Sequence, residues 1–318
     1  MLFLGNQFSE IPAWLHDNGK KLDSMLAAQH VPHTILFSGS EGVGKSEMAD
    51  MFSKALLCAS NIKLPCENCK SCNLFEHQTH GDFLHVSCED SKNNIGVEQI
   101  RNAISFSNKT SAFGRRKVIL INPAEKLQRN ASNAILKFLE EPPENTTVLL
   151  VSNRDGNLPA TVHSRCLRLE FNSPDYQTAY RWLSEKLPRE SEFSKAIALS
   201  LRQPFKALTL IKTKEFDKLV ATIGSQDSPI GLNIGLLGSL AKQKHPDVLL
   251  LEYLCLQLEQ FLKETSEASL KSSSSKDIFE CQSKLRSLIA KLDQGIALNI
   301  SLNFTNIVSK LIKVMEQH

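Results

Sequence analysis

The sequence lacks the features that mark secreted and membrane proteins. Its first residues, MLFLGNQFSEIPAW, contain no basic segment followed by a long apolar core, so we predict no signal peptide. No run approaches the roughly 20 apolar residues that a membrane-spanning helix needs. We therefore expect a cytoplasmic protein without a membrane partner.

Charge of one sign is also scarce. The 37 Lys and Arg residues nearly balance the 34 Asp and Glu residues, which leaves a formal net charge of +3. Proteins that hold DNA through a basic surface are usually far more positive. Bulk charge therefore gives no support for nucleic-acid binding, and partners must be inferred from motifs.

Short β-rich segments alternate with helical patterns over the first 170 residues, which is typical of βαβ units around a parallel sheet. The apolar run VILI from Val118 indicates a strand buried on both faces. The predicted strands are Thr34–Ser38, Phe83–Ser87, Lys117–Asn122, Thr147–Ser152 and Cys166–Phe171. The main predicted helices are Lys45–Leu57, Val97–Asn108 and Asn130–Glu140.

Strand signals stop after residue 171, and apolar residues then recur at helical spacing to the end of the sequence. We predict an α/β domain over residues 1–171, a small helical domain over 172–215 and a larger helical domain over 216–318. The serine-rich stretch Ser269–Lys276 predicts a flexible loop between two of the last helices.

The segment GSEGVGKS matches the P-loop pattern GxxxxGK[ST] and lies between a predicted strand and a predicted helix, as the motif requires. Its glycines let several backbone N–H groups point at one phosphate. Lys45 would neutralise the β- and γ-phosphates, and the Ser46 hydroxyl would bind magnesium. The loop therefore predicts a site that could bind ATP and magnesium, and the alternatives are a turn without a ligand and a correctly folded but seldom occupied P-loop. The residues are Gly39, Gly42, Gly44, Lys45 and Ser46.

The carboxylates that accompany a working P-loop are missing. One carboxylate after a neighbouring strand holds magnesium through water, and the next orients the attacking water. Asn122 and Pro123 stand there instead, and Glu125 comes too late for the same geometry. We predict that phosphate binding survives and that efficient hydrolysis does not.

Four of the eight cysteines form a C-x7-C-x2-C-x2-C array after the P-loop helix. Four thiolates around one ion give the tetrahedral sulfur shell that zinc favours, so we predict a structural zinc site. Four unconnected buried cysteines are the alternative. His77 and His80 could compete as ligands, although histidines in polar loops are usually solvated. The predicted ligands are Cys58, Cys66, Cys69 and Cys72.

The block VILINPAEKLQRNASNAILKFLEEPP, residues 118–143, resembles the central block of bacterial clamp-loader AAA+ subunits of DNA polymerase III. That family follows a strand with a helix NALLKxLEEPP, another strand and an SRC motif, and here LLVSN begins at Leu149 and SRC at Ser164. The match covers roughly residues 20–170. The resemblance implies an AAA+ P-loop domain with a zinc module, a helical lid and an all-α collar that mediates oligomerisation.

The same resemblance implies site roles. Motor subunits of the family keep the acidic pair, whereas subunits of the delta-prime type do not, so Asn122 and Pro123 indicate that type. Arg165 of the SRC motif would act as an arginine finger on ATP bound by a neighbouring subunit. An ordinary surface or salt-bridge arginine is the alternative. In the lid, Phe205 replaces an arginine of the motor subunits, for which Arg202 could substitute.

The partners that the resemblance implies are a delta subunit, gamma/tau motor subunits and, through the complex, the sliding clamp and primed DNA. Two other interpretations stay open. One is an ATP-hydrolysing gamma/tau-type motor subunit that recruits Glu125 as its base. The other is a zinc-dependent DNA-binding module, which the weak net charge disfavours.

Overall fold

The computed structural model describes residues 11–60, 65–89, 94–113, 116–153, 158–200, 203–223, 237–238, 240, 248–264, 273–293 and 299–316. The chain forms two compact units, Met1–Pro174 and Asp175–His318. The first is α/β. In the second, every described secondary-structure element is a helix. The finer division into three domains stays a prediction.

A five-stranded sheet lies at the centre of the first unit, and all its strand pairs are parallel. The spatial order is β2-β3-β4-β1-β5. The predicted α/β class and parallel sheet are therefore confirmed. The strands are β1 Thr34–Gly39, β2 Phe83–Val86, β3 Lys117–Ile121, β4 Thr146–Ser152 and β5 Leu167–Phe171.

The sheet core consists of β3 and β4, in which every residue is buried. Parallel strands need long crossover connections, and in α/β domains helices usually make them and cover the faces of the sheet. The helices of this unit are α1 His16–Ala27, α2 Lys45–Leu57, α3 Lys70–Glu76, α4 Val97–Ser107, α5 Arg129–Glu140 and α6 Ala160–His163. Two short 3-10 helices cover Ala13–Leu15 and Ala124–Lys126.

Helix α5 shows how the sequence fixes one of these elements. Ala131, Ile135, Phe138 and Leu139 recur at i, i+4, i+7 and i+8 and are all buried, so one face of the helix packs into the core. The helix ends at Glu140 because Pro142 cannot continue it and restricts the residue before it.

The second unit begins with α7, whose N-cap Asp175 accepts a hydrogen bond from the Thr178 N–H at 2.9 Å. Later in the unit, α12 packs against both α11 and α13. The helices are α7 Tyr176–Lys186, α8 Glu192–Ser200, α9 Pro204–Leu210, α10 Lys214–Ile223, α11 Val248–Glu264, α12 Ser273–Asp293 and α13 Ile300–Met315. None of the described helices has the length and apolar character to cross a bilayer.

The predicted loop over Ser269–Lys276 is wrong for its last four residues, because α12 already begins at Ser273. Serine is common in linkers, and it is also among the residues favoured at helix N-termini. A serine run therefore does not distinguish the two structures. Residues 269–272 lie outside the described part of the chain.

Candidate functional site

The P-loop connects β1 directly to α2, as the motif predicts. Gly39, Gly42 and Gly44 all have positive φ angles, of 149°, 68° and 104°. At Gly39 a Cβ atom would also lie 2.2 Å from the Phe171 carbonyl oxygen of β5, so only glycine fits between the two strands. The first glycine of the loop is thus required by the sheet as well as by the turn.

Lys45 opens helix α2, where backbone N–H groups and the helix dipole favour an anion. Its side chain is buried, and Nζ donates a hydrogen bond to the Ser40 carbonyl oxygen at 2.5 Å. The ammonium group therefore folds back over the loop. A phosphate oxygen could take the place of that carbonyl as acceptor, so the geometry is compatible with phosphate binding.

The magnesium side of the site has an amide where a carboxylate would be needed. Asn122, directly after β3, donates a hydrogen bond from Nδ2 to the Ser46 hydroxyl at 3.0 Å. An amide carries no charge to hold a divalent cation, and its N–H occupies the hydroxyl oxygen that would bind the metal. Glu125 instead accepts a hydrogen bond from the Asn153 N–H at 3.2 Å, at the end of β4.

Trp14 is a contact of the loop that sequence reasoning missed. Its indole N–H donates to the Val43 carbonyl oxygen at 2.9 Å. The segment before α1 therefore contacts the middle of the P-loop. No motif in the sequence pairs a tryptophan with a loop 29 residues away.

The four cysteines of the array come together at the end of α2 and the start of α3. All four Sγ atoms lie within 4.8 Å of one another, and the Cys58–Cys69 and Cys66–Cys72 sulfur distances are 4.0 Å. A tetrahedral zinc ion with Zn–S bonds of about 2.3 Å needs sulfur–sulfur distances of about 3.8 Å. The predicted cluster is confirmed, and its geometry fits a metal ion.

Backbone N–H groups support these sulfurs. Cys58 Sγ accepts hydrogen bonds from the N–H groups of Ser60 and Cys66 at 3.4 and 3.3 Å, and Cys69 Sγ accepts one from Cys72 at 3.4 Å. Burial raises the pKa of Cys58 and Cys72. At Cys69 burial acts in the same direction, but N–H donors from Cys72 and Ala59 outweigh it and lower the pKa to about 6. A bound cation would stabilise all four as thiolates.

The expectation of a solvated His80 is wrong, because its side chain is buried. His80 Nδ1 accepts a hydrogen bond from the Asp82 N–H at 3.0 Å, which leaves Nε2 to donate to the Ser71 hydroxyl at 2.7 Å. Ser71 in turn donates to the Leu57 carbonyl oxygen at 2.6 Å. The imidazole therefore fixes the helix that carries Cys72. The His77 side chain is exposed, and its Nδ1 atom lies 2.7 Å from the Asn73 carbonyl oxygen.

Asp82 extends this network into the sheet. Its buried carboxylate accepts hydrogen bonds from the N–H groups of Ala112 and Phe113, at 2.8 and 3.0 Å, and pairs with Lys117 Nζ at 3.2 Å. Burial would raise the pKa of Asp82, but these donors outweigh it and lower that pKa. The network thus continues from the cysteine cluster to the first residue of β3. No motif in the sequence indicates this network.

Arg165, the arginine of the SRC motif, lies on the turn after α6. Its Nε donates to Glu140 Oε1 at 2.7 Å, and Nη2 binds the same oxygen. Its Nη1 donates to the Thr161 carbonyl oxygen at 2.8 Å and to the Ser164 hydroxyl at 3.0 Å. The side chain stays 30% exposed. The contact is a salt bridge on an accessible surface, and the finger role stays a prediction.

The two lid residues differ in what can be said of them. Phe205 packs on Trp182 with the ring centroids 4.8 Å apart. The residue that is predicted to replace the arginine of the motor subunits is therefore one half of an aromatic pair. Arg202 lies outside the described residues. Its substitution for the lid arginine stays a prediction.

Over the residues that the structure describes, these features define a P-loop α/β protein with four clustered cysteines that could hold a metal ion, and with Asn122 and Pro123 in place of an acidic pair. A family model described as "DNA polymerase III, delta subunit" matches residues 16–175, half of the chain. The chain belongs to this family. The predicted resemblance to the bacterial delta-prime type is confirmed by the relatives that it matches.

The chain is 36% identical over 186 residues to DNA polymerase III subunit delta′ of Pseudomonas aeruginosa, covering 58% of this chain and 56% of that protein. It is 31% identical over 201 residues to Escherichia coli subunit delta′, covering 63% and 60%. The E. coli tau subunit is 34% identical over 177 residues, covering 55% and 27%. The matches thus span little more than half of these delta′ relatives.

Among solved structures, a gamma subunit-related protein of DNA polymerase III from Thermotoga maritima aligns with 92% of this chain and 99% of its own. The TM-score is 0.46 and the sequence identity 20%.

Proposed function

We propose that this chain is a non-hydrolysing subunit of a DNA polymerase III clamp loader, which helps to load the sliding clamp onto primed DNA. The observation that carries the proposal is the hydrogen bond between Asn122 and Ser46. A hydrolysing site needs a carboxylate beside this hydroxyl, and a second one to orient water, where Pro123 stands. Family membership supplies the replication context.

The proposal gives Arg165 a role in trans. A guanidinium directed at the γ-phosphate of ATP in a neighbouring subunit stabilises the charge that develops during hydrolysis. Its accessible position and the family match of its segment support this role. The chain would thus contribute to hydrolysis next door without hydrolysing ATP itself.

The partners belong to the same proposal: a delta subunit, gamma/tau motor subunits and, through the assembly, the clamp and primed DNA. Relatives of this chain include both delta′ and tau/gamma subunits of DNA polymerase III. The helices α11, α12 and α13 would form the collar. A cytoplasmic location follows from this role in replication.

The metal of the cysteine module would be zinc. Four sulfur donors at these separations suit a closed tetrahedral site, which is typical of structural zinc. Cys58, Cys66, Cys69 and Cys72 would hold the ion, whose charge would let all four remain thiolates. The site would then stabilise the fold and take no part in a reaction.

The decisive test measures ATP turnover. The isolated chain should show no turnover above background, with or without primed DNA. In a reconstituted clamp loader, Arg165→Ala should slow hydrolysis at the facing ATP site by about 10³-fold or more. The total ATP turnover of the complex should therefore fall by at least the fraction that this site contributes. Arg101→Ala, on the exposed face of α4, is the control and should leave turnover unchanged.

A motor-type subunit with Glu125 as base is the rival. DNA-stimulated turnover by the isolated chain that is abolished by Lys45→Ala would establish the rival and overturn the proposal. The hydrogen bond from the Asn153 N–H to Glu125 disfavours it, because this carboxylate already serves the end of β4.

A further inference from the structure

The contact between Arg165 and Glu140 differs from the other described arginine–carboxylate pairs of the α/β unit, Arg101–Glu98 and Arg168–Glu170, whose partners are two or three residues apart in sequence. Arg101 and Glu98 are three residues apart on one helix, and both are at least 65% exposed. Arg165 and Glu140 are 25 residues apart and join the last residue of α5 to the turn after α6. Arg165 is half as exposed, at 30%. The pair therefore fixes two elements relative to each other.

The backbones on either side of the pair rest on one core. Leu139, next to Glu140, and Val162, three residues before Arg165, are buried in the same hydrophobic cluster. The turn that carries Arg165 is closed by its N–H, which donates to the Val162 carbonyl oxygen at 3.2 Å. The backbone of both residues is therefore anchored by the core, and this anchoring gives the guanidinium a defined position.

Local helix energetics do not explain a glutamate at this position. The C-terminus of a helix carries partial negative charge, which disfavours a carboxylate there. Glu140 is the last residue of α5 and Glu141 follows it, so two negative charges sit at the unfavourable end. The described contact that compensates Glu140 is the one with Arg165.

Glu140 also determines how the guanidinium is oriented. Its Oε1 takes Nε and Nη2, while Thr161 and Ser164 take both hydrogens of Nη1. One Nη2 hydrogen is left without an acceptor among the contacts of the described residues. These four contacts set the plane of the guanidinium, so the remaining N–H points in one direction in this structure.

We infer that Glu140 is a positioning residue for the arginine finger. This inference rests on the proposed function, because it assumes that Arg165 acts on ATP in a neighbouring subunit. Glu140 fixes the rotamer and plane of Arg165 before the subunits meet, so that the loss of side-chain freedom is not incurred during hydrolysis. Glu140 touches neither ATP nor the reacting atoms.

The test uses the reconstituted clamp loader with full-length chains. Glu140→Ala should lower kcat for ATP hydrolysis toward the value of Arg165→Ala, while KM for ATP stays the same, because the finger acts on the transition state in the neighbour's site. Glu140→Gln keeps a neutral acceptor and should fall between the two. Adding Glu140→Ala to Arg165→Ala should cause no further loss.

Glu141→Gln is the matched control, since it removes the same charge one residue further along the chain. It should leave kcat unchanged, and thermal melting should show that all variants fold, because Glu140 is exposed. An equal loss in Glu141→Gln would overturn the inference by showing a general charge effect at the helix end.

The outcomes separate the two proposals. If Arg165→Ala lowers kcat and both Glu140 variants match the unsubstituted complex, the positioning role is wrong and the finger stands. If the Glu140 variants raise kcat, the carboxylate restrains the finger, and the inference is overturned. If Arg165→Ala itself has no effect, the finger role in the proposed function fails first.

Discussion

At the scale of single residues, Asp23 on α1 is a carboxyl group whose charged form is disfavoured by burial. Its Oδ1 atom is buried and has no hydrogen-bond partner among the described residues, and burial raises its pKa from 3.8 to about 6. The native state therefore binds a proton at Asp23 more tightly than the unfolded state does. Stability from this group is full below pH 4 and falls as the pH rises from about 4 to about 6.

Asp23→Asn should remove that pH dependence. The free energy of unfolding of the variant, relative to the unsubstituted protein, should increase by about 1 to 2 kcal/mol between pH 4 and pH 7.5. Each pKa unit corresponds to about 1.4 kcal/mol, and partial exposure reduces the effect. Urea unfolding at both pH values measures it. Asp17→Asn, on the exposed face of the same helix, should show no such change, and a flat difference for Asp23→Asn contradicts the prediction.

At the scale of elements, α3 depends on the cysteine cluster. It has seven residues, too few for an isolated helix to be stable, and Cys69 caps its start. Ser71 ties it to His80 and to the end of α2. The helix is therefore held by the cluster and by this hydrogen-bond chain, whereas β3 and β4 are held by the apolar core.

Removal of the metal should consequently unfold α3 and the cysteine cluster and leave the sheet folded. Treatment of the full chain with a zinc chelator should lower Tm and abolish hydrogen-exchange protection in α3, with β3 and β4 still protected. Added zinc should restore both. The Cys66→Ser variant should have the lower Tm and the unprotected α3 before any chelator is added, and the chelator should change neither. Equal loss of protection in β3 would contradict this prediction.

The elements also show what the sequence could and could not predict. The strands appear in the sequence as short β-rich or apolar runs and the helices α2, α4 and α5 as longer periodic patterns, and the predicted ends of all these elements are within one residue of the structure. Helices α3 and α6 have seven and four residues, too few for a period to show. The P-loop and the cysteines were predictable because local spacing defines them. The pairs Asn122–Ser46, His80–Ser71 and Arg165–Glu140 were not, since each joins residues that only the fold brings together.

At the scale of the whole molecule, parallel strand order assembles the candidate nucleotide site. The P-loop follows β1, Asn122 follows β3 and Asn153 follows β4, and the carboxyl ends of parallel strands meet at one edge of the sheet. At this edge the phosphate loop meets the Asn122 amide, which lies beside the Ser46 hydroxyl where a carboxylate would hold the metal. Under the proposed function, this site would hold phosphate without a strongly held metal, and the chain would contribute to chemistry through its partners.

This arrangement makes Asn122→Asp the most direct change to the site. A carboxylate in place of the amide would attract magnesium to the Ser46 hydroxyl, which the Asn122 Nδ2 atom now approaches to 3.0 Å. Calorimetry on the isolated chain should show ATP affinity that depends little on magnesium, and about 10-fold tighter binding with magnesium in the variant, or about 1.4 kcal/mol. Turnover should stay at background, because Pro123 supplies no base. Asn122→Ala is the control without a carboxylate. Equal magnesium dependence in the unsubstituted chain would mean that another group already holds the cation, and the amide at position 122 would no longer account for the lack of hydrolysis.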